Sequence, residues 1–163
     1  MDLLVIRHAI AEDPAADRPD AARALTRRGR RRFKAAVAGL GALGVRFDRL
    51  LTSPLTRAVQ TSELLEPLLD GEAQITDALA APPDAALLGM LAALPEPTVA
   101  LVGHEPWLGE LAALLLTGKT GPGGNLAFRK GGVAWLEGQP APGQMSLKAW
   151  LPPRVLRGLA RQR

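Results

Sequence analysis

Residues 3–8 read Leu-Leu-Val-Ile-Arg-His, and residues 98–104 read Thr-Val-Ala-Leu-Val-Gly-His. Each is a short, unbroken apolar run cut off by polar residues. That is the pattern of a strand buried on both faces of a sheet. His8 and His104, which close these runs, are the only two histidines in the chain. In an open parallel sheet ligands bind beyond the carboxyl ends of the strands, so two strand-end histidines are expected to meet at one edge.

Working outward, Leu50–Leu51 with Thr52 and Val133–Leu136 read as further strands. Leucine and alanine at three- and four-residue spacing predict helices from Thr26 to about Leu40, Pro54 to about Leu69, Asp84 to Leu94, and Pro106 to about Leu116. Thr26 is placed to cap the first of these. Ser53-Pro54 and Glu105-Pro106 each put a proline at an expected first helical position, with Ser53 as a hydroxyl cap. Met145–Leu151 is expected to pair antiparallel with Val133–Leu136 through the loop Gly138–Gly143. This alternation implies an α/β fold, a three-layer α/β/α sandwich around a mainly parallel sheet.

The chain has 163 residues, 47% hydrophobic and 22% charged, which fits one folded domain over 1–163 with a single core. Aromatics supply only 4% and tyrosine is missing, so aliphatic side chains must fill that core. The absence of cysteine excludes disulfides, thiol nucleophiles and thiolate metal sites. No basic leader or apolar run of about 18 residues is present, and a cytoplasmic location away from membranes is expected.

The net charge of +4 is concentrated in Arg27 to Arg32 and in the tail from Arg154 to Arg163. Such runs favour anionic partners without naming one, and each taken alone reads first as a solvated helix face and second as a partner contact. Gly118–Lys119–Thr120 resembles the end of a phosphate-binding loop, but Ala113 stands where that motif needs glycine, and the segment follows a helix. Gly118 to Gly124 therefore reads as a surface loop.

Arg7 precedes His8, and Arg57 sits in the first turn of the helix that follows the second strand. Two arginines, two histidines and helix N-termini on one edge describe a phosphate pocket. The run Arg7-His8-Ala9, the run Ser53-Pro54-Leu55-Thr56-Arg57-Ala58 with Gln60-Thr61, and Gly103-His104 together resemble the histidine phosphatase (phosphoglycerate mutase-like) superfamily. Arg23-Ala24-Leu25-Thr26 and the chain length are similar to its short, SixA-like phosphohistidine phosphatase branch.

The resemblance implies that His8 is the nucleophile that becomes phosphorylated, with Arg7, Arg57 and His104 clamping the phosphoryl oxygens and Arg23 as an added phosphate ligand. Neutral imidazole is a competent carrier, and preorganised positive charge suits the charge spread over a transferring phosphoryl group. No cofactor or metal is implied. Ala9 stands where many members have glycine, and Ile10 where a charged residue is frequent. Larger members take their proton donor from an inserted helical lid, for which the sequence between Arg57 and His104 is too short. Glu12, Asp13 and Glu105 are left as competing donors.

An open, positively charged site without a lid favours a phosphohistidine-bearing protein as substrate. A small phosphomonoester and a non-catalytic phosphate-binding role are the alternatives. Nucleic-acid binding through the basic runs lacks aromatic interleaving and is not expected.

Overall fold

The computed structural model describes residues 1–120 and 126–161. Six strands, β1 (Asp2–Arg7), β2 (Arg49–Thr52), β3 (Ala73–Ile75), β4 (Thr98–Gly103), β5 (Val133–Gly138) and β6 (Met145–Leu151), form one sheet in the order β3-β2-β4-β1-β5-β6. The four strands from β3 to β1 run parallel, whereas β5 is antiparallel to β1 and β6 antiparallel to β5. The helices are α1 (Arg27–Ala42), α2 (Thr56–Leu65), α3 (Ala85–Ala92), α4 (Trp107–Thr117) and α5 (Pro153–Leu159). None of the described helices is long and apolar enough to cross a membrane.

The four apolar residues of β1 explain the layering, because successive side chains of a strand point to opposite faces. Leu4 and Ile6 join Phe33, Val37 and Leu40 of α1, Ala58 and Leu65 of α2, and Leu156 of α5. Leu3 and Val5 join Leu87 and Leu91 of α3 and Leu108, Leu111 and Leu115 of α4 on the other face. All four β1 residues are fully buried. At about 25 cal/mol per Å² of apolar surface, burying each such side chain contributes about 2 kcal/mol.

Helix α1 is set hard against its neighbours by two glycines. A β-carbon on Gly29 would lie 2.0 Å from the Ile10 carbonyl oxygen, and one on Gly39 would lie 2.0 Å from the Leu156 carbonyl oxygen. Thr26 caps this helix as expected, its Oγ1 accepting the Gly29 N–H at 2.9 Å.

Two expected starts shift. Helix α2 begins at Thr56 with Leu55 at the cap and no side-chain cap bond, so Ser53 does not cap it. Pro106 is the cap residue of α4, with Trp107 its first helical residue. Helix α2 also ends at Leu65, short of Leu69, because Pro67 turns the chain into a 3-10 segment over Glu66–Leu68. Gly118 closes α4 with φ 76°, so Gly118–Lys119–Thr120 ends a helix where a phosphate-binding loop would open one. The remainder of the expected loop, residues 121–124, lies outside the described residues, as do Gln162 and Arg163 at the end of the basic tail.

Candidate active site

The carboxyl ends of three neighbouring strands build the site. Arg7 at the end of β1 is in register with Gly103 at the end of β4, and Thr52 of β2 with Val102. The next residue on each strand is therefore His8, His104 or Ser53. The pairing continues past the strand ends, with His8 N–H donating to Gly103 O at 3.1 Å and Ser53 N–H to Val102 O at 3.0 Å. The imidazoles of His8 and His104 come to rest with ring centroids 5.1 Å apart.

Both rings are recessed, His8 being 5% and His104 4% exposed. His8 Nδ1 lies 2.7 Å from Ala9 O. A carbonyl oxygen only accepts, so Nδ1 carries the proton and the lone pair of the neutral ring is on Nε2. Ala9 is itself anchored, its N–H donating to Thr61 Oγ1 at 3.0 Å while that hydroxyl donates to Arg57 O at 2.6 Å. His104 Nε2 is 2.8 Å from Ser53 Oγ. This contact, together with acceptance of the Leu55 N–H at 3.3 Å, is where the Ser53 hydroxyl goes instead of capping α2.

Burial, chiefly, pushes the His8 pKa down from 6.5 to about 3, with the charges of Arg57 and Arg7 acting in the same direction. Burial and then Arg57 push His104 down to about 4. Both rings are thus neutral at pH 7. In the unfolded chain each binds a proton near pH 6.5, so the native state holds fewer protons between that pH and its own pKa. Stability is therefore complete above pH 6.5 and falls as pH drops toward 4, by on the order of 5 kcal/mol for the two groups together. Urea midpoints measured from pH 7 to pH 4 should show a steep decline that is flattened in the His8→Asn/His104→Asn double variant.

Three guanidinium groups surround the histidines. Arg7 Nη1 donates to Phe128 O at 2.5 Å, and burial lowers its pKa while Glu105 partly offsets this. Arg57 is 6% exposed and donates to Asp20 O at 2.8 Å and Asp20 Oδ2 at 3.0 Å. Arg23 Nε reaches Asp20 Oδ1 at 2.8 Å and its Nη1 reaches Glu12 O at 2.7 Å. The carboxylate of Asp20 thus bridges Arg23 and Arg57, and hydrogen bonding to Arg23 is the main cause of its lowered pKa. Among the described residues Arg7 Nε, Arg57 Nε and His104 Nδ1 are buried without a hydrogen-bond partner.

All five residues expected at the site, Arg7, His8, Arg23, Arg57 and His104, lie on this edge. Sequence reasoning did not single out Asp20 as their partner, nor Ser53 as the neighbour of His104. Of the three candidate proton donors, Glu12 is half-buried and ion-paired with Arg18, and Asp13 is exposed. Glu105 is also half-buried, its pKa raised by burial and its Oε1 accepting the Phe128 N–H at 2.6 Å. The described residues hold no group of three or more His, Asp or Glu side chains able to bind a metal ion.

Comparison with known proteins gives the family and the fold. Residues 3–81 match the family model of the histidine phosphatase superfamily, branch 1. An uncharacterized protein of Picosynechococcus sp. is 39% identical over 143 residues, 83% of this chain and 84% of that one. The protein histidine phosphatase SixA, solved with tungstate, superposes with a TM-score of 0.79 at 27% identity, covering 96% of this chain and 99% of SixA. A phosphoserine phosphatase from Entamoeba histolytica shares the fold at 16% identity and a TM-score of 0.69, covering 95% of this chain and 98% of that one. The chain belongs to the histidine phosphatase superfamily and is a phosphatase of the fold seen in SixA.

Proposed function

We propose that this phosphatase removes the phosphoryl group from phosphohistidine on a protein, through a phosphohistidine intermediate on His8. The observation that carries the reading is the hydrogen bond from His8 Nδ1 to Ala9 O, which leaves Nε2 of a neutral ring free to attack beside three guanidiniums. In the first displacement the Nε2 lone pair forms a bond to phosphorus as the bond to the leaving nitrogen breaks. In the second, water attacks the phosphorus of phospho-His8, the P–Nε2 bond breaks and inorganic phosphate departs. Arg7, Arg57 and His104 hold the equatorial oxygens through both steps, and Arg23 adds charge from the side of Asp20.

The substrate class follows from the proton inventory. An alkoxide leaving group needs a strong, well-placed acid, whereas an imidazole nitrogen leaves readily and needs far less help. Glu12 is ion-paired with Arg18, Asp13 is exposed, and Glu105 is engaged by the Phe128 N–H. The arrangement therefore suits cleavage of a P–N bond. A small phosphomonoester is the second reading, favoured by how deeply both histidines are recessed.

The deciding measurement is acid- and base-quenched labelling with a ³²P-phosphohistidine peptide. The expected result is label on His8 that survives alkali and is lost in acid. Label on another residue, or turnover with no trapped intermediate under single-turnover conditions, overturns the mechanism.

A further inference from the structure

Five basic side chains outside the catalytic edge converge on one cleft of about 710 Å³: Arg32 of α1, Arg129 and Lys130 before β5, and Arg154 and Arg157 of α5. No carboxylate lines the cleft. None of the five forms an ion pair among the described residues. A solvated basic helix spreads its charge into water, but here three separate segments bring theirs to a shared concavity. Arg157 registers the crowding, since its pKa is lowered by burial first and then by Arg32, Arg161 and Arg154. A concave wall lined with one sign of charge focuses its field and concentrates anions.

The cleft is also tied to the catalytic edge. Ala9 and Ile10, the two residues after His8, form part of its wall, and Gly131 in the same wall donates its N–H to the carbonyl oxygens of Arg7 and His8 at 3.1 Å each. Anything lying in the cleft is thus next to the backbone that carries the nucleophile. The floor is apolar, with Phe33 and Pro153, but Phe33 is only 3% exposed and presents no face for a base to stack on. Val155, 48% exposed, adds an aliphatic surface on the rim. Cations over an apolar floor with no exposed ring face suit a peptide bearing carboxylates better than a nucleic acid.

We propose that this cleft docks an acidic segment of the protein substrate, adjoining the residue whose phosphoryl group enters the His8 site. The inference rests on the reading of protein phosphohistidine as substrate and adds the chemistry by which that protein is chosen. It also gives Arg32 of α1 and Arg154 and Arg157 of α5 a common role.

The test uses two phosphohistidine peptides, identical except for a run of Glu or of Lys beside the phosphorylated residue. The wild-type enzyme should prefer the Glu peptide in kcat/KM by about 10-fold, and the preference should shrink as salt rises from about 20 mM to about 300 mM. The R154E/R157E variant should lose that preference while hydrolysing p-nitrophenyl phosphate at the wild-type rate. Should that variant not fold, R32Q/K130Q makes the same comparison. Equal kcat/KM for the two peptides, or a preference that survives both variants, overturns the proposal.

Failure of the substrate reading is separable. If p-nitrophenyl phosphate is cleaved and neither phosphohistidine peptide is, binding of the unphosphorylated Glu peptide by fluorescence anisotropy decides. Binding that R154E/R157E abolishes supports the cleft as an acidic-peptide site, and absence of binding overturns it. Tripolyphosphate binding at the cleft without any peptide binding would assign it to small polyanions and overturn the proposal as well.

Discussion

Replacing His8 by alanine is expected to lower the turnover of p-nitrophenyl phosphate by at least about 10⁴-fold, leaving a folded protein that still binds inorganic phosphate. The size of the effect follows from what the ring alone supplies. The three arginines and His104 remain to hold a phosphoryl group, but the chain has no cysteine and only one other histidine to take over the attack. That histidine and the Ser53 hydroxyl beside it are paired with each other, His104 Nε2 to Ser53 Oγ at 2.8 Å. The loss should fall on kcat far more than on KM, because removing a bond made only along the reaction path leaves ground-state binding in place. The ring's one side-chain hydrogen bond, to Ala9 O, is modest enough that an unchanged circular dichroism spectrum is expected. A variant retaining activity within tenfold of wild type would remove His8 from the mechanism.

Arg57→Ala is expected to cost about 10³-fold in kcat, in the range seen when one preorganised donor to a developing charge is lost. Arg57→Lys should recover little of it. The guanidinium spans Asp20 O and Asp20 Oδ2 with two different nitrogens at 2.8 and 3.0 Å, a fork that a single ammonium cannot reproduce. A lysine would keep the charge and lose the orientation. Steady-state kinetics on both variants separates the two contributions: charge alone would restore Arg57→Lys to near wild type, whereas orientation predicts a residual deficit of at least about 10-fold.

Much of the candidate site is legible in the sequence, and the reason is specific. Leu3–Ile6 and Val99–Val102 are buried on both faces, so they carry the continuous apolar signature that needs no knowledge of neighbours. Because β1 and β4 are adjacent and parallel, strand ends became site positions, and both histidines followed. Strand β3 was not legible. It is three residues long, sits at the sheet edge, and Gln74 and Ile75 are exposed, so no alternation marks it. Helix α5 was hidden inside what read as a basic tail, since only Leu156 of its seven residues is buried.

Asp20 was invisible for another reason. It lies in a Pro-, Ala- and Asp-rich stretch without periodicity, and its importance comes from Arg57, 37 positions away. A contact of that separation is set by the fold and leaves no local pattern. Ser53 shows the same limit in milder form. Its place before a proline was read as a helix cap, while the hydroxyl is used by His104 across the sheet edge.

Two of the three glycines of α1, Gly29 and Gly39, have a bearing on selectivity. Gly29 meets the Ile10 carbonyl and Gly39 the Leu156 carbonyl at separations that admit hydrogen and nothing larger. These two close approaches set how α1 sits against the Ile10 segment and against α5. Arg32 and Phe33 lie between the two, so their offset from His8 is a fixed length built into the scaffold. Under the proposed docking this spacing would act as a ruler: a partner would be gauged by how far its acidic stretch stands from its phosphorylated residue, and one with the right charges at the wrong interval would be turned away.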